Sequence, residues 1–557
     1  MAICKPINLS KIDSLSIIAM VIIFYFALTP FAAFPFDLTA PILIPLLLTS
    51  ISIIILGAIS ILKNNTINLP SINSGLFFYA ILVMLVISLF QTGITIWWLY
   101  FLNLSFISLI IFNLKGMKFF NLEKLANSLL IVLLMEIIKE IFSQAGFKFS
   151  LFNTLNNNNI RAMFLILALP LLISYFKDRV KFQIALLLSC LFICYYLQCR
   201  TAIMGFILIL LLYICRSVFE LKKYFKLLIP VFFIGVLSIY HISLNKEEST
   251  TGRFTIWEQS LKSENYNLLG TGFNSYQKVL SKQLIYYFSG DISIDIKDNF
   301  KSQINIAYND IIQLFIENGA FGITLIISIM IIIKRQWGLI NFHYLLPFVY
   351  ILMALVNSPL YAVPCGILLS FYMGYYFESY KGNTTIITLI ISILIFVYTS
   401  IYTNSIVEVK SLSNPQEVKK ISINTRLSML KKHRFVLNKN SYYWQIVGQT
   451  FLENKNYALS QKAFLKAINI DLNVNSLMLI SEAYRLQAKF DKQEKALSSA
   501  CRIIPGSVIT NYELFKFYNY HKDINNSKKI AEHILKLENK SNGKFAQIFR
   551  NLKEQMK

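Results

Sequence analysis

Residues 308–333 read YNDIIQLFIENGAFGITLIISIMIII, a run in which Asp310 and Glu317 are the only charges. A helix rises about 1.5 Å per residue and the hydrocarbon core of a bilayer is about 30 Å thick, so about twenty mostly apolar residues suffice to cross it. This run is long enough. Twelve further stretches of similar character are expected to do the same, at 15–36, 40–62, 75–92, 95–114, 126–145, 161–176, 181–198, 201–215, 224–244, 340–357, 361–377 and 384–406. The first follows Lys5 and Lys11 and is longer than the apolar core of a signal peptide, so it reads as a retained span. The fold class that follows is all-α, a polytopic membrane protein of 12–13 transmembrane helices with one large external loop and a C-terminal helical repeat domain.

Composition agrees with this class. Of 557 residues 55% are hydrophobic and 15% charged, with a mean hydropathy of +0.55, which excludes a disordered chain and an ordinary single soluble domain. Lys and Arg number 53 against 29 Asp and Glu, a net charge of +24. In so apolar a chain that excess points to cytoplasmic loops and anionic membrane lipid, with no nucleic acid partner. The cysteines (Cys4, Cys190, Cys194, Cys199, Cys215, Cys365 and Cys501) form no C-x-x-C pair and have no histidine at ligand spacing, so neither a metal, a cofactor nor a disulfide framework is expected.

Orientation follows from lysine and arginine in short loops, which resist translocation. Lys63, Lys115 with Lys118 and Lys124, Lys177 with Arg179 and Lys181, Arg216 with Lys222, Lys223 and Lys226, Lys334 with Arg335, and Lys381 fall on alternate connections together with the N-terminus. The N-terminus is therefore expected in the cytoplasm, and the polar segment 245–307 on the opposite face of the membrane. Only Lys148, Arg161 and Arg200 break the pattern on the outer side, and a charge kept against a physical penalty is a candidate functional group. The expected domains are a first bundle at 1–244, the loop at 245–307, a second bundle at 308–406, a basic linker at 407–440 and helical repeats at 441–557. Parity places the repeats outside, although Lys410, Lys419, Lys420, Arg426, Lys431, Lys432 and Arg434 follow the last span closely, a cytoplasm-like feature.

The tail repeats with an offset of 33 residues: Phe451 and Tyr484, Phe464 and Leu497, Ala467 and Ala500, Leu472 and Pro505. These positions, with Trp444, Gly448 and Tyr457, match the tetratricopeptide pattern, in which paired antiparallel helices bury aromatic and small residues against the next pair. A degenerate third unit is expected around Phe517 to Ile534. Such stacks bind partner proteins.

The outer-side inventory is Arg161, Arg200, Arg253, His241, Tyr308, Asn309, Asp310 and Glu317. It contains no Ser-His-Asp set and no zinc-binding helix. Its arginines suit a pyrophosphate, because the planar guanidinium pairs two phosphate oxygens and stays charged. Plain structural readings stand beside this one: Arg200 as an interfacial anchor, Arg253 as a solvated charge, Trp257 and Tyr308 as interfacial aromatics, and Gly270 with Gly272 as a tight turn. Glu317 in an apolar run must face protein or water. Glu136, Lys139 and Glu140 read as an ion-pair set on one helix face.

Several motifs recur in a fixed order. Cys199-Arg200-Thr201-Ala202 opens a span; Gly252-Arg253-Phe254-Thr255-Ile256-Trp257 precedes Leu269-Gly270-Thr271-Gly272-Phe273-Asn274-Ser275-Tyr276; and Tyr308-Asn309-Asp310 leads to Gly319-Ala320-Phe321-Gly322. Asn153 and Asn156 to Asn159 stand ahead of Arg161. The series resembles the O-antigen ligase and polymerase superfamily. That resemblance implies transfer of a glycan from an undecaprenyl-pyrophosphate carrier to an acceptor hydroxyl, of lipid A core or of a protein, without a metal or nucleotide. It implies that Arg200 and Arg253 neutralise the pyrophosphate and that Tyr308 occupies the place of the family's catalytic histidine. Arg161, Asn159, Trp257, Gly270, Gly272, Asn309, Asp310 and Glu317 would line the substrates. Here the chain departs from the family: a phenol with an ordinary pKa of about 10 is a poor base at neutral pH, so either nearby arginines lower it or Asp310 or His241 substitutes. A polymerase of the same superfamily, a flippase of polysaccharide precursors and a scaffold acting through its repeats are the competing expectations.

Overall fold

The computed structural model describes residues 69–70, 75–114, 122–144, 158–220, 247–263, 268–290, 292–336, 345–376, 379–380, 385–413, 421–538 and 545–555. The segments expected at 15–36, 40–62 and 224–244 lie outside the described residues, as do Lys148, Asn153, Asn156, Asn157, His241 and the side chains of Glu136, Lys139 and Glu140. The described residues fold as an all-α protein. In chain order the helices are α1 (Leu76–Gln91), α2 (Ile96–Leu114), α3 (Leu122–Gln144), α4 (Asn158–Tyr175), α5 (Val180–Tyr196), α6 (Arg200–Glu220), α7 (Glu247–Leu261), α8 (Tyr276–Tyr287), α9 (Ile294–Asp298), α10 (Asp310–Gln336) and α11 (Leu345–Val356). They continue as α12 (Val363–Tyr376), α13 (Thr385–Ser411), α14 (Ile423–Leu437), α15 (Ser441–Glu453), α16 (Tyr457–Ile470), α17 (Val474–Arg485), α18 (Phe490–Ile503), α19 (Val508–Tyr520), α20 (Ile524–Glu538) and α21 (Ala546–Gln555). One short antiparallel pair joins β1 (Leu69–Pro70) to β2 (Ser379–Tyr380). The chain divides into two compact units, one of residues 1–246, 268–270 and 308–400, the other of residues 247–267, 271–307 and 401–557.

In the first unit the helices coincide with apolar runs, and α4 shows why they assemble. Every residue from Arg161 to Ile173 is buried, and a helix apolar all round belongs in the centre of its bundle. Five helices, α3, α5, α6, α11 and α12, pack around it. Helix α12 lies along α2, and Gly374 permits that approach, since a Cβ there would overlap the Ser108 backbone. By length and composition Asn158–Tyr175 and Asp310–Ile331 are each long and apolar enough to cross a membrane, and Leu76–Gln91, Trp97–Leu109, Val180–Tyr196, Arg200–Ile214 and Leu345–Val356 are shorter apolar helices; the run expected as one span at 308–333 is, however, broken at Gly319, whose backbone leaves the helical region.

The second unit contains the repeats. Helices α15 and α16, α17 and α18, and α19 and α20 pack as hairpins, and α16 against α17 and α18 against α19 join one hairpin to the next. The period is written in the backbone as well as in the core. Asn440, Asn473 and Ser507 each cap the first helix of a hairpin, accepting from Tyr443, Ser476 and Thr510 amides at 3.1, 2.8 and 3.4 Å. Lys455, Ala488 and Lys522 each take a positive φ, of 58°, 53° and 57°, at the turn inside the hairpin. The third hairpin is thus a full unit, and α21 covers it with Phe549 and Leu552 in a cluster that holds Phe515, Ala531 and Ile534.

Within the hairpins, Gly448 faces the Phe464 ring so closely that any Cβ would overlap it. Gly448→Ala is expected to displace that ring and lower stability by about 1–3 kcal/mol, read as earlier thermal unfolding and faster proteolysis of the C-terminal region. The segment 271–307 packs on the same hairpins. Gln303 donates to Leu472 O at 2.9 Å and accepts from the Val474 amide at 3.0 Å, the Gly506 amide donates to Phe300 O at 3.1 Å, and Lys278 donates to Asn469 O.

Beside that contact stands Asp471. Burial pushes its carboxyl up to about 6, against the opposing hydrogen bond from Asn473 and the charge of Lys278. The free carboxyl titrates near about 3.9, so between those values the folded unit holds a proton that the unfolded chain releases. Stability is therefore greatest at the acid end of this window and falls as pH rises through about 6. Thermal midpoints at pH 5 and pH 7.5 are expected to differ in that sense, and Asp471→Asn to remove this contribution.

Candidate functional site

The first unit's polar residues gather around α10. Asn309 stands just before it, its Oδ1 accepting from the Ile312 amide at 3.1 Å and its Nδ2 donating to Leu355 O at 2.8 Å. The helix then breaks at Gly319, with φ 57° and ψ −138°, a conformation L residues rarely adopt. A Cβ at Gly319 would overlap Leu268 O, and the Ala320 amide donates to that same carbonyl at 2.9 Å. Gly322 lies against the carbonyl of Leu314, eight residues earlier, which an unbroken helix would hold about 12 Å away. The Gly-x-x-Gly sequence therefore makes a sharp corner, its first glycine supplying the turn and its second the room for the chain to fold back. Residues 268–270 fit inside that corner. Gly270 is pressed against the backbone of Glu317 and Asn318, and its carbonyl accepts from Gln91 Nε2 at 3.0 Å.

Two buried carboxylates sit before the corner. Asp310 accepts from the Leu360 amide at 2.7 Å and from the Tyr350 hydroxyl at 3.3 Å. Glu317 accepts from the Tyr361 hydroxyl at 2.7 Å, and that ring packs edge-on against Trp97 and Phe101 with centroids 5.0 and 5.7 Å apart. Both carboxylates thus hold the turn between α11 and α12 in place, Asp310 by its backbone and Glu317 by its tyrosine. Sequence reasoning singled out both acids but missed their partners Tyr350, Leu360 and Tyr361. The signal was the polar trio Asn357-Ser358-Pro359 between two apolar runs, which marks a turn with backbone groups to satisfy.

Two arginines of this unit, Arg161 and Arg200, lie at helix starts. Arg161 is 5% exposed in the first turn of α4, and half-buried Arg200 is the first residue of α6. A tight turn with Gln198 at φ 50° leads into α6, and Cys199 Sγ reaches Asn159 O at 3.9 Å, so the two helix starts are neighbours. Guanidinium groups at helix N-termini add to the amide dipoles there, and together they favour an anion. Half-buried Tyr308, two residues before α10, has φ 53°, a costly conformation for a non-glycine residue.

The structure thus brings Asn159, Arg161, Arg200, Tyr308, Asn309, Asp310, Glu317 and Gly270 into one unit. Arg253, Trp257 and Gly272 belong to the other. Arg253 is half-buried on α7. Trp257 donates from Nε1 to Ala307 O at 2.8 Å and packs edge-on against Phe254, so it ties the two ends of segment 247–307 together. Gly272, at φ 93°, begins a turn closed by Ser275 Oγ, which donates to Gly272 O at 2.6 Å. Among the described residues no three His, Cys, Asp or Glu side chains form a metal-binding group.

No protein-family model matches this chain, and no curated protein matches it. Among solved structures, the crystal structure of the yeast Tom70 aligns at 12% identity over 83% of this chain and 77% of its own, with a TM-score of 0.20. A superposition at that level carries no argument about this chain.

Proposed function

We propose that this chain is a polytopic bacterial inner-membrane glycosyltransferase of the O-antigen ligase or protein O-oligosaccharyltransferase type, acting at the outer face on an undecaprenyl-pyrophosphate-linked glycan. The membrane reading draws support from large apolar side chains turned outward on the bundle helices, among them Val86, Phe90, Ile138, Phe192, Met204 and Met330; soluble monomers seldom expose so many. The observation that carries the chemical reading is the neighbouring pair of helix starts at which Arg161 opens α4 and Arg200 opens α6.

In this reading the acceptor oxygen bonds to the anomeric carbon as the carbon–oxygen bond to pyrophosphate breaks. The electron pair leaves with the lipid pyrophosphate, and the acceptor's proton passes to a phosphate oxygen or to water. Arg200, aided by Arg161, stabilises the charge growing on the leaving group, the kind of preorganised electrostatics that lowers barriers most in a water-poor site. Arg253 is assigned the same group by its motif. Asp310 and Glu317 are positioning residues, since each is engaged in holding the turn after α11. The Tyr308 hydroxyl is assigned a hydrogen bond to the acceptor.

The packing of residues 271–307 on the hairpins supports one side for both, so an external loop carries the repeats outside with it. Repeats on that side suit recruitment of a macromolecular acceptor or protein partner, which favours ligase or protein transferase over polymerase. Arg253→Ala tests the reading against a flippase. A transferase variant is expected to accumulate lipid-linked glycan on the outer face, and accumulation on the inner face would overturn the assignment.

A further inference from the structure

Helix α14 is two-faced. Arg426, Leu430, His433 and Leu437 are buried, with Arg426 paired to Glu453 at 2.6 Å. The opposite face carries exposed Lys431 and Lys432 and, one turn on, Phe435, which is 92% exposed, the highest among the exposed large apolar residues described. From Val418 to Leu452 the chain has seven Lys or Arg and no Asp or Glu, and the acid that meets this face, Glu408, comes from α13 and engages Lys432.

The position of α14 is set by α13. Glu408 accepts from Lys432 at 3.3 Å and bonds His433 Nε2 at 2.7 Å, Asn440 donates to the Tyr402 hydroxyl at 3.0 Å, and the Tyr442 hydroxyl donates to Ser413 at 2.9 Å. Leu394, Val397 and Ile401 are exposed along one face of α13, before Glu408 on the same helix. We propose that the Lys431, Lys432 and Phe435 face of α14 docks on the anionic headgroups of the membrane from which α13 emerges. This rests on the reading of α13 as a membrane span. Lysine ammonium groups on lipid phosphates with an aromatic ring sunk shallowly between them is the arrangement an interfacial helix uses. It also accounts for the basic stretch after the last span as a lipid contact on whichever side the tail lies.

The test uses the full chain with Phe435→Cys carrying a nitroxide and Cys4 and Cys215 replaced by serine; the other five cysteines are buried. It is reconstituted in phosphatidylcholine vesicles and in vesicles of phosphatidylcholine and phosphatidylglycerol at seven to three. Two lysines near an anionic surface are expected to bias α14 about thirtyfold toward the docked form, so the label becomes shielded from a water-soluble relaxant only in the anionic vesicles. Adding Lys431→Glu and Lys432→Glu should restore exposure. Equal exposure in both vesicles overturns the proposal, as does equal shielding that the glutamates leave unchanged, which would indicate a protein or purely apolar contact. Release of the chain by an alkaline wash would overturn the membrane reading itself, and the docking with it.

Discussion

Under the proposed transferase activity, Gly319→Ala is expected to reduce glycan transfer by at least about a hundredfold, the loss that a small misplacement of a site's groups produces. A backbone at φ 57° and ψ −138° is strained by about 1–3 kcal/mol for an L residue, and the new Cβ would overlap Leu268 O, the carbonyl that accepts from the Ala320 amide. The corner then opens, and with it go the seats of Gly270 and Glu317. Transfer activity and protease sensitivity near Leu268 should change together. Gly252→Ala is the control, since a Cβ there meets only Asn299 at 3.6 Å, an ordinary contact. Equal loss in both variants would mean that the corner has no special role.

Arg200→Ala is the second large effect, an expected loss of about 10²–10³-fold in turnover, comparable to removing one donor from an oxyanion-stabilising site. Arg200→Lys keeps the charge but loses the planar fork, so partial recovery is expected. Because Arg200 is half-buried at a helix start, thermal unfolding of the purified chain should move little. Activity unchanged in Arg200→Ala would remove this residue from the leaving-group role.

The helices were legible because apolar runs of helix length impose themselves on any fold, as α1, α2 and α4 show. The repeats were legible for the same kind of reason, a 33-residue spacing of Phe464 and Leu497 or Ala467 and Ala500. The third hairpin looked degenerate because its cap, Ser507, follows Asn473 by 34 residues, one more than the preceding interval. Periodicity carries no record of which distant residues meet. Leu268 against Gly319, Glu317 against Tyr361, and Gln303 against Leu472 are pairings of chemistry at long separation. Asp310 illustrates the consequence: its sequence position near Tyr308 offers it as a substitute base, and only the structure shows that it also bonds the Leu360 amide fifty residues on.

The most direct test of the central claim is a gel of envelope glycans and glycoproteins from the host lacking this chain, complemented with wild type or with Arg200→Ala. The account predicts that glycan disappears from lipid A core or from protein and builds up on the lipid carrier at the outer face, that wild type restores it, and that Arg200→Ala does not. Full restoration by Arg200→Ala, or an unchanged glycan pattern without the chain, would contradict it.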